Sequence, residues 1–422
     1  MAPFRAFCYN KSRFPDPNVV LTPPYDVISP EQQQAYHEQS QFNIIQVDYG
    51  LDFPGRDKYA AAAQKLDEWV ADGVLIQDEK PAIYVTEHEF SDMQGRKRLR
   101  RGFIALLKVE PFSSGVALPH EKTFKKHKKD RLDLLRATGA QMNPVFTFFS
   151  DPDGKAADIL AAAATGAPDS DFDFVDGARN RMWRLTDPDG IRALQKILKK
   201  QPVFIADGHH RYETMLNFRK ETKKNLGGKL PKDHPARWGL VYFCTAEDPG
   251  LEVTSPHRVL KNLPGFDPQK MLEKLDKFFS IQKTAGNCAL EDTDNPDAPH
   301  GFAMQIGQEL YCMTLRKGVL NKAMPEIPRA LRELHVTVCS ELIIRPLIGD
   351  SGKILDHVSY IVDPAEAAAA VQSGACQAAV FLPPFNMKHL MDAVETGQVL
   401  PHKSTYFYPK LVTGLAIYRY SV

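Results

Sequence analysis

The chain has 422 residues, which sets an expectation of two or three domains. Hydrophobic content of 43% and charged content of 25% are ordinary for a globular chain. Lys+Arg 53 against Asp+Glu 52 leaves a net charge of +1, which argues against a dedicated nucleic-acid binder. The six cysteines (Cys8, Cys244, Cys288, Cys312, Cys339, Cys376) include no Cys-x-x-Cys pair, so neither a disulfide framework nor a zinc ribbon is expected. A reducing, cytoplasmic setting fits that usage. The opening Met-Ala-Pro-Phe-Arg lacks a signal-peptide core, and Glu341 and Arg345 interrupt the apolar stretch Val336 to Ile348, so no membrane segment is expected.

In chain order, Pro23-Pro24-Tyr25-Asp26-Val27-Ile28-Ser29 reads as an extended entry into a turn. Its Tyr25 and Asp26 are candidate site-lining residues. Residues 58–72 place Tyr59, Ala62, Leu66, Trp69 and Val70 on one helical face, with Gly73 as the stop. Ile83–Val85 and Leu99–Val109 predict strands around a turn at Asp92–Gly95. Leu132 to Thr138 predicts a helix and Val145–Phe149 a buried strand. Residues 151–170 read as a loop with one short helix.

The run Val203-Phe204-Ile205-Ala206 predicts a strand, and Tyr212 to Arg219 a helix. Between them stands Asp207-Gly208-His209-His210-Arg211. That order delivers two imidazoles and a guanidinium to a helix N-terminus, where amide N–H groups already favour anions. A guanidinium adds a fork matched to phosphate oxygens. Lys223 to Arg237 reads as a loop and Leu240–Thr245 as a strand.

Further on, Asp267–Phe279 predicts a helix, and 284–300 an acidic surface loop. Phe302–Ile306 and Leu310–Leu315 predict a hairpin across Gly307-Gln308. Leu331, Leu334, Val338 and Leu342 share one helical face. Val358–Val362, a helix from Asp363-Pro364 to Gly374, and Ala378–Leu382 predict a βαβ unit. A helix from Asn386 to Thr396, the stretch Pro401–Pro409 and a strand at Val412–Tyr418 complete the reading.

Two more segments carry candidate chemistry. Pro119-His120-Glu121-Lys122-Thr123 brackets a carboxylate with His and Lys, as a general base requires. The basic run from Lys122 to Arg131 fits an electrostatic funnel for a polyphosphate. Pro401 to Lys410 combines Lys403, Ser404 and Thr405 with an aromatic run, and hydroxyls with ammonium groups suit phosphate or carboxylate oxygens. For Glu121 the competing reading is a surface ion pair, and for Pro401–Lys410 an ordinary loop. A zinc site from His120, Glu121, His209 and His210 carries little weight, since adjacent His residues chelate one ion poorly. No Walker phosphate loop occurs.

On Pro23–Ser29, Gly102–Ile104, Pro119–Thr123, Ala206–Thr214 and Lys403–Lys410, the chain is identified as a member of the DUF1015 family. More distantly, residues 119–415 resemble the free-L-serine kinases of the ParB/sulfiredoxin-like fold. Their Pro-His-Glu falls on Pro119, His120 and Glu121, their Asp-Gly-His-His-Arg on Asp207 to Arg211, and their Pro-x-Lys-Thr-Thr on Pro401, Lys403, Ser404 and Thr405. The departures are about a hundred extra N-terminal residues, a longer span from Glu121 to Asp207, and Ser in place of one Thr.

The resemblance implies an α+β chain with a ParB/sulfiredoxin-like nucleotide domain over residues 101–262. An N-terminal α/β region (1–100) and a smaller C-terminal α/β domain (263–422) would flank it. It implies phosphoryl transfer from ATP or ADP with Mg²⁺ to a small-molecule hydroxyl, in serine metabolism if the acceptor is free L-serine. Glu121 would take the acceptor proton; Asp207 and His210 would join it in catalysis. Gly208, His209, His210, Arg211, Lys403, Ser404 and Thr405 would bind phosphate or nucleotide. His120, Lys122, Thr123, Tyr25 and Asp26 would flank the substrate, and Asp207 would hold Mg²⁺ or orient a His. The alternative is a nucleotide-binding regulatory or scaffold protein with little turnover.

Overall fold

The computed structural model describes residues 1–92, 94–121, 125–288, 290–291, 300–349, 354–401 and 403–420, with backbone alone over 125–128. It is a mixed α+β chain that divides into two compact units. The first comprises Met1–Pro119, Thr123–Glu252 and Pro409–Val422; the second comprises His120–Lys122 and Val253–Tyr408. A division near residue 100 is not seen, for a plain reason. The strand Lys97–Lys108 runs through that position and pairs with strands on both sides of it in sequence.

The first unit is built on an eight-stranded sheet. Its strands are β1 (Ile83–Ser91), β2 (Lys97–Lys108), β3 (Ala117–Leu118), β4 (Val145–Phe149), β5 (Ser170–Asp173), β6 (Arg179–Leu185), β7 (Val203–Asp207) and β8 (Trp238–Thr245). They lie in the order β3-β7-β4-β8-β2-β1-β6-β5. β8 runs parallel to β4 and antiparallel to β2, so the sheet is mixed. The helices packed on this sheet and its flank include α1 (Lys58–Ala71), α2 (Lys125–Thr138), α3 (Lys155–Ala163), α4 (Pro188–Leu198) and α5 (His209–Asn225).

Alternation along β2 separates two faces. Phe103, Ala105 and Leu107 enter one core with Val145, Phe149, Val203, Ile205, Val241 and Phe243. Ala156 and Leu160 of α3, Leu194 and Leu198 of α4, and Tyr212 and Met215 of α5 close that core. α4 is opened by Asp187, whose side chain accepts from the Gly190 amide, with Pro188 in its first turn. α1 is capped by Asp57, and its Ala62, Leu66 and Trp69 join a second core with Leu134, Met142 and Ile417. The strands β5 and β6 fall where the sequence shows charge and polarity, whereas α4 carries an apolar face of Ile191, Leu194 and Leu198.

The second unit carries a six-stranded sheet of β9 (His257–Leu260), β10 (Phe279–Thr284), β11 (Gly301–Ile306), β12 (Glu309–Leu315), β13 (Val358–Ile361) and β14 (Ala378–Phe381), ordered β10-β12-β11-β14-β9-β13. The predicted hairpin is β11–β12, in register from Gly301↔Thr314 to Ile306↔Glu309. The predicted βαβ unit is present as β13, α6 (Pro364–Gln372) and β14, with one difference. β9 lies between the two strands and pairs antiparallel with both. The predicted helix at 331–342 is broken: after Arg329–Arg332 and His335–Val338, residues Cys339–Ile344 widen to a π-helix. Contrary to the cysteine reading, Cys288 and Cys312 form a disulfide. Among the described residues, no helix is long and apolar enough to cross a membrane.

The opposite face of β2 explains Gly102. A methyl group there would meet the Tyr242 hydroxyl and lie 2.5 Å from the Phe243 carbonyl oxygen, which is backbone and cannot move aside. Gly102→Ala is therefore expected to lower stability by about 3 kcal/mol, the upper end for overpacking. Thermal unfolding checks this, and an unchanged melting temperature would show that β8 yields.

Candidate functional site

The turn from β7 into α5 follows from one residue. Gly208 has φ +91, the left-handed region that glycine enters without steric cost. A side chain at 208 would also press on Arg211, whose Cζ would lie 2.9 Å from the new methyl. Arg211 thus folds back over the glycine toward the strand end it has just left. The first backbone bond of the helix runs from the Tyr212 amide to the Gly208 carbonyl at 3.0 Å. Amides of a first helical turn precede that ladder and point along the helix axis.

Asp207 is the centre of this turn. Arg211 Nη2 donates to its Oδ2 at 2.6 Å, and Lys410 Nζ donates to its Oδ1 at 2.9 Å. Burial alone would raise its pKa. The charges of Lys410 and Arg211 and the bond from Lys410 outweigh burial and hold the carboxyl far below the usual carboxylate range. His209 is buried and lies within electrostatic reach of the same carboxylate. His210 is half-buried, and its carbonyl accepts from Thr214 Oγ1 at 2.8 Å.

Arg211 also donates through Nη1 to Asn143 Oδ1 and to the Pro144 carbonyl. Its fork is therefore engaged with three protein acceptors. Three of its five N–H groups are taken up in this way. Asn143 in turn donates to the Leu411 carbonyl at 3.2 Å and to Thr413 Oγ1 at 2.8 Å. The turn is thereby tied to Leu411 and Thr413, just beyond Lys410.

Beside the turn lies a cavity of about 60 Å³, lined by Tyr25, Asp48, Arg131, Asn143, Arg211 and Thr214 among others. Arg131 stacks on the Tyr25 ring, 4.1 Å from its centroid. Its Nη1 donates to the Asp48 carbonyl at 2.8 Å, and its Nη2 to Asp130 Oδ2 at 2.7 Å. Burial raises the Asp48 pKa against the opposing charges of Arg131 and Arg211. Burial raises Tyr25 likewise, with Asp26 adding to it and Arg131 and Arg211 opposing. Tyr25 thus lines the cavity, whereas Asp26 is exposed and acts on it through charge alone. Arg131, read as the end of an exposed basic funnel, is buried at 8% exposure among acids and an aromatic ring.

The second unit brings together its own predicted residues. His120 is buried, and its Nε2 lies 2.8 Å from Thr405 Oγ1 across 285 positions of sequence. The His120 carbonyl accepts from the Leu400 amide at 2.8 Å. Ser404 is buried and donates to the Pro401 carbonyl at 2.6 Å. Lys403 is exposed, with φ +54, a left-handed conformation that non-glycine residues adopt at a cost. Its carbonyl accepts from the buried Arg258 at 3.4 Å, and Arg258 faces the Tyr360 ring at 5.4 Å. Burial raises the Tyr360 pKa; the charge of Arg258 opposes that, and Cys339 and Glu121 add to it. Lys122 and Thr123, the remaining candidates here, lie outside the described residues.

His120 and Glu121 belong to the second unit, and His209 and His210 to the first. Among the described residues, no three His, Cys, Asp or Glu side chains group around a point that could hold a metal ion. Sequence reasoning missed Lys410, Asn143, Asp48 and Arg131 as members of the site. Lys410 stood in the quoted string, but its neighbours Lys403 to Thr405 drew the assignment. Asn143 and Asp48 carry no local signal, because each is brought in by tertiary packing, and Arg131 stood in the basic run read as a funnel.

The model of the family described as "Protein of unknown function (DUF1015)" matches residues 1–337. The chain belongs to that family. No curated protein matches it. Among solved structures it is similar to a conserved hypothetical protein from Pyrococcus furiosus, at 14% identity and TM-score 0.35, over 74% of this chain and 94% of that one. It is also similar to a free serine kinase in complex with AMP, at 12% identity and TM-score 0.36, over 72% and 86%. A third is SbnI with a C-terminal truncation from Staphylococcus aureus, at 14% identity and TM-score 0.34, over 72% and 82%. Likenesses at this level carry no argument about activity.

The cations on Asp207 give a pH-dependent prediction. A carboxyl with a depressed folded pKa contributes stability above its unfolded value of about 3.9, and that contribution is lost as pH falls below it. Lys410→Met removes one cation and lets the folded value rise. The variant is expected to be less stable at pH 7 by about 1.5 kcal/mol, the lower end for a hydrogen bond to a charged group. The gap to the parent protein should persist at pH 4, where Asp207 stays ionised in both folded proteins, and narrow only as pH falls through the variant's own depressed folded value. Urea unfolding at pH 7 and pH 4 measures both, and a gap that closes by pH 4 would sink the assignment.

Proposed function

We propose that this protein is a small-molecule kinase that moves a phosphoryl group from ATP or ADP to an acceptor hydroxyl. The observation that supports this reading is the turn at Asp207–Arg211. Two cations meet one carboxylate at the N-terminus of a 17-residue helix. The helix N-terminus adds to the positive field of those cations, and a phosphate is a group such a field favours. Phosphoryl transfer asks mainly for such charge neutralisation and alignment.

In this reading His209, His210 and Gly208 contribute the phosphate-binding turn, and Arg211 keeps Asp207 ionised and in place. Both Asp207 oxygens are already engaged by cations, so the described donors do not fit an Mg²⁺ ion held by Asp207, and no step is routed through that metal. The roles of Glu121 as general base, and of Lys403, Ser404 and Thr405 as oxyanion grips, come from the resemblance. So do free L-serine as acceptor and the ParB/sulfiredoxin-like arrangement. The hydrogen bond between His120 and Thr405 favours a joint role for the two segments, since it brings their residues together. The competing reading, a nucleotide-binding switch without turnover, shares the phosphate turn and differs at Glu121.

The test incubates purified protein with ATP or ADP and hydroxyl-bearing amino acids, following phosphate transfer by phosphorus NMR. Substrate-dependent transfer is expected. Glu121→Gln should lower turnover about 10²–10⁴-fold, the usual worth of a general base, with nucleotide affinity nearly unchanged. Binding without transfer in the parent protein would favour the switch, and equal loss of binding and turnover in the variant would remove the base role.

A further inference from the structure

One buried cation is not accounted for by the turn itself. Arg100, on β2, is fully buried with 0% exposure, among the largest side chains the fold encloses. It stacks on Phe146 at 4.7 Å and on Tyr242 at 5.6 Å. Its Nη2 donates to the Pro409 carbonyl at 2.9 Å, across 309 positions of sequence. The bond fixes the peptide immediately before Lys410. Asn143 fixes the second peptide after it, through the Leu411 carbonyl. Asn143 also accepts from Arg211, which holds Asp207, which holds Lys410. The bonds close a ring around the Lys410 backbone.

The two cations on Asp207 differ in what they can do next. Arg211 is planar and set among three fixed acceptors. Lys410 ends in an ammonium with three rotatable donors on a flexible stem. Its side chain is 14% exposed. An incoming oxyanion can therefore draw the ammonium toward itself while Arg211 keeps Asp207 neutralised. A backbone pinned on both sides keeps the ammonium within reach of the turn in either position.

Resting on the phosphate reading of this turn, we infer that Lys410 is an oxyanion-binding residue and that Arg100 is its positioning residue. The ligand chemistry is a phosphate oxygen, from inorganic phosphate or from a nucleotide. No bond forms or breaks in this step; an ion pair is exchanged.

Calorimetric titration with inorganic phosphate, and separately with ADP, tests the inference on the full chain. Lys410→Met should weaken phosphate binding at least tenfold, and Lys410→Arg should recover part of it. Arg100→Gln should weaken binding to a similar degree. The double variant should bind no more weakly than Lys410→Met alone, because groups that act through one another are not additive. Arg100→Lys, which keeps the charge and one donor, should fall between. A loss shared by phosphate and ADP places the contact on the phosphate, and a loss with ADP alone overturns a general oxyanion site. Unchanged phosphate affinity in Lys410→Met overturns the inference while leaving the phosphate reading standing. No phosphate or ADP binding by the parent protein would remove the phosphate reading itself. Additive losses, or failure of both Arg100 variants to fold, would mark Arg100 as structural only.

Discussion

The ion pair from Arg211 to Asp207 is the constraint on which the rest of the first unit's site depends. It joins the last residue of a strand to the first turn of the following helix, over a glycine that alone permits the path. Each partner then recruits distant chain. Asp207 draws in Lys410, and Arg211 draws in Asn143, which fixes Leu411 and Thr413. Thr413 in turn donates to the Pro23 carbonyl at 3.1 Å, which sets the entry to Tyr25. A five-residue string thus organises segments that begin near residue 23 and end near residue 413. Taking one partner away would leave a buried charge with half its compensation, which costs more than the pair itself contributes.

Much of this was legible in the sequence, and the parts that were not share a cause. The strand–glycine–helix order at 203–219 is a local pattern, and the fold realises it as β7, Gly208 and α5. The hairpin at 302–315 was likewise local. By contrast β5, β6 and β9 are short and charged, and they become strands because neighbours pair with them. β9 in particular enters between two strands whose βαβ spacing suggested direct adjacency. The helix expected over 331–342 carries good periodicity, yet its third stretch widens to a π-helix. The disulfide joins Cys288 to a strand residue 24 positions on, a pairing that spacing alone does not reveal.

The candidate site divides the same way. Asp207, Gly208 and the two His residues were named from residue type and order. Lys410 escaped because a lysine after a proline in an aromatic run resembles any surface lysine until Asp207 is seen opposite it. Arg131 escaped for the opposite reason. It closes a run of basic residues, and charge runs read as solvated, but its own contacts are Tyr25, Asp48 and Asp130. Sequence shows where charge is; burial decides whether that charge faces solvent or another side chain.

Arg211 carries this argument furthest. A guanidinium beside a helix N-terminus has two chemically reasonable partners, a phosphate or a carboxylate, and sequence cannot separate them. The geometry shows three of its five N–H groups on Asp207, Asn143 and Pro144. The residue that looked most like a ligand contact therefore also holds the turn in register. On the proposed phosphate reading, the helix amides and Lys410 would be the groups that meet the anion. Such a division suits a site that must hold its shape before a ligand arrives, since the rigid cation sets the geometry and the mobile one adjusts to it.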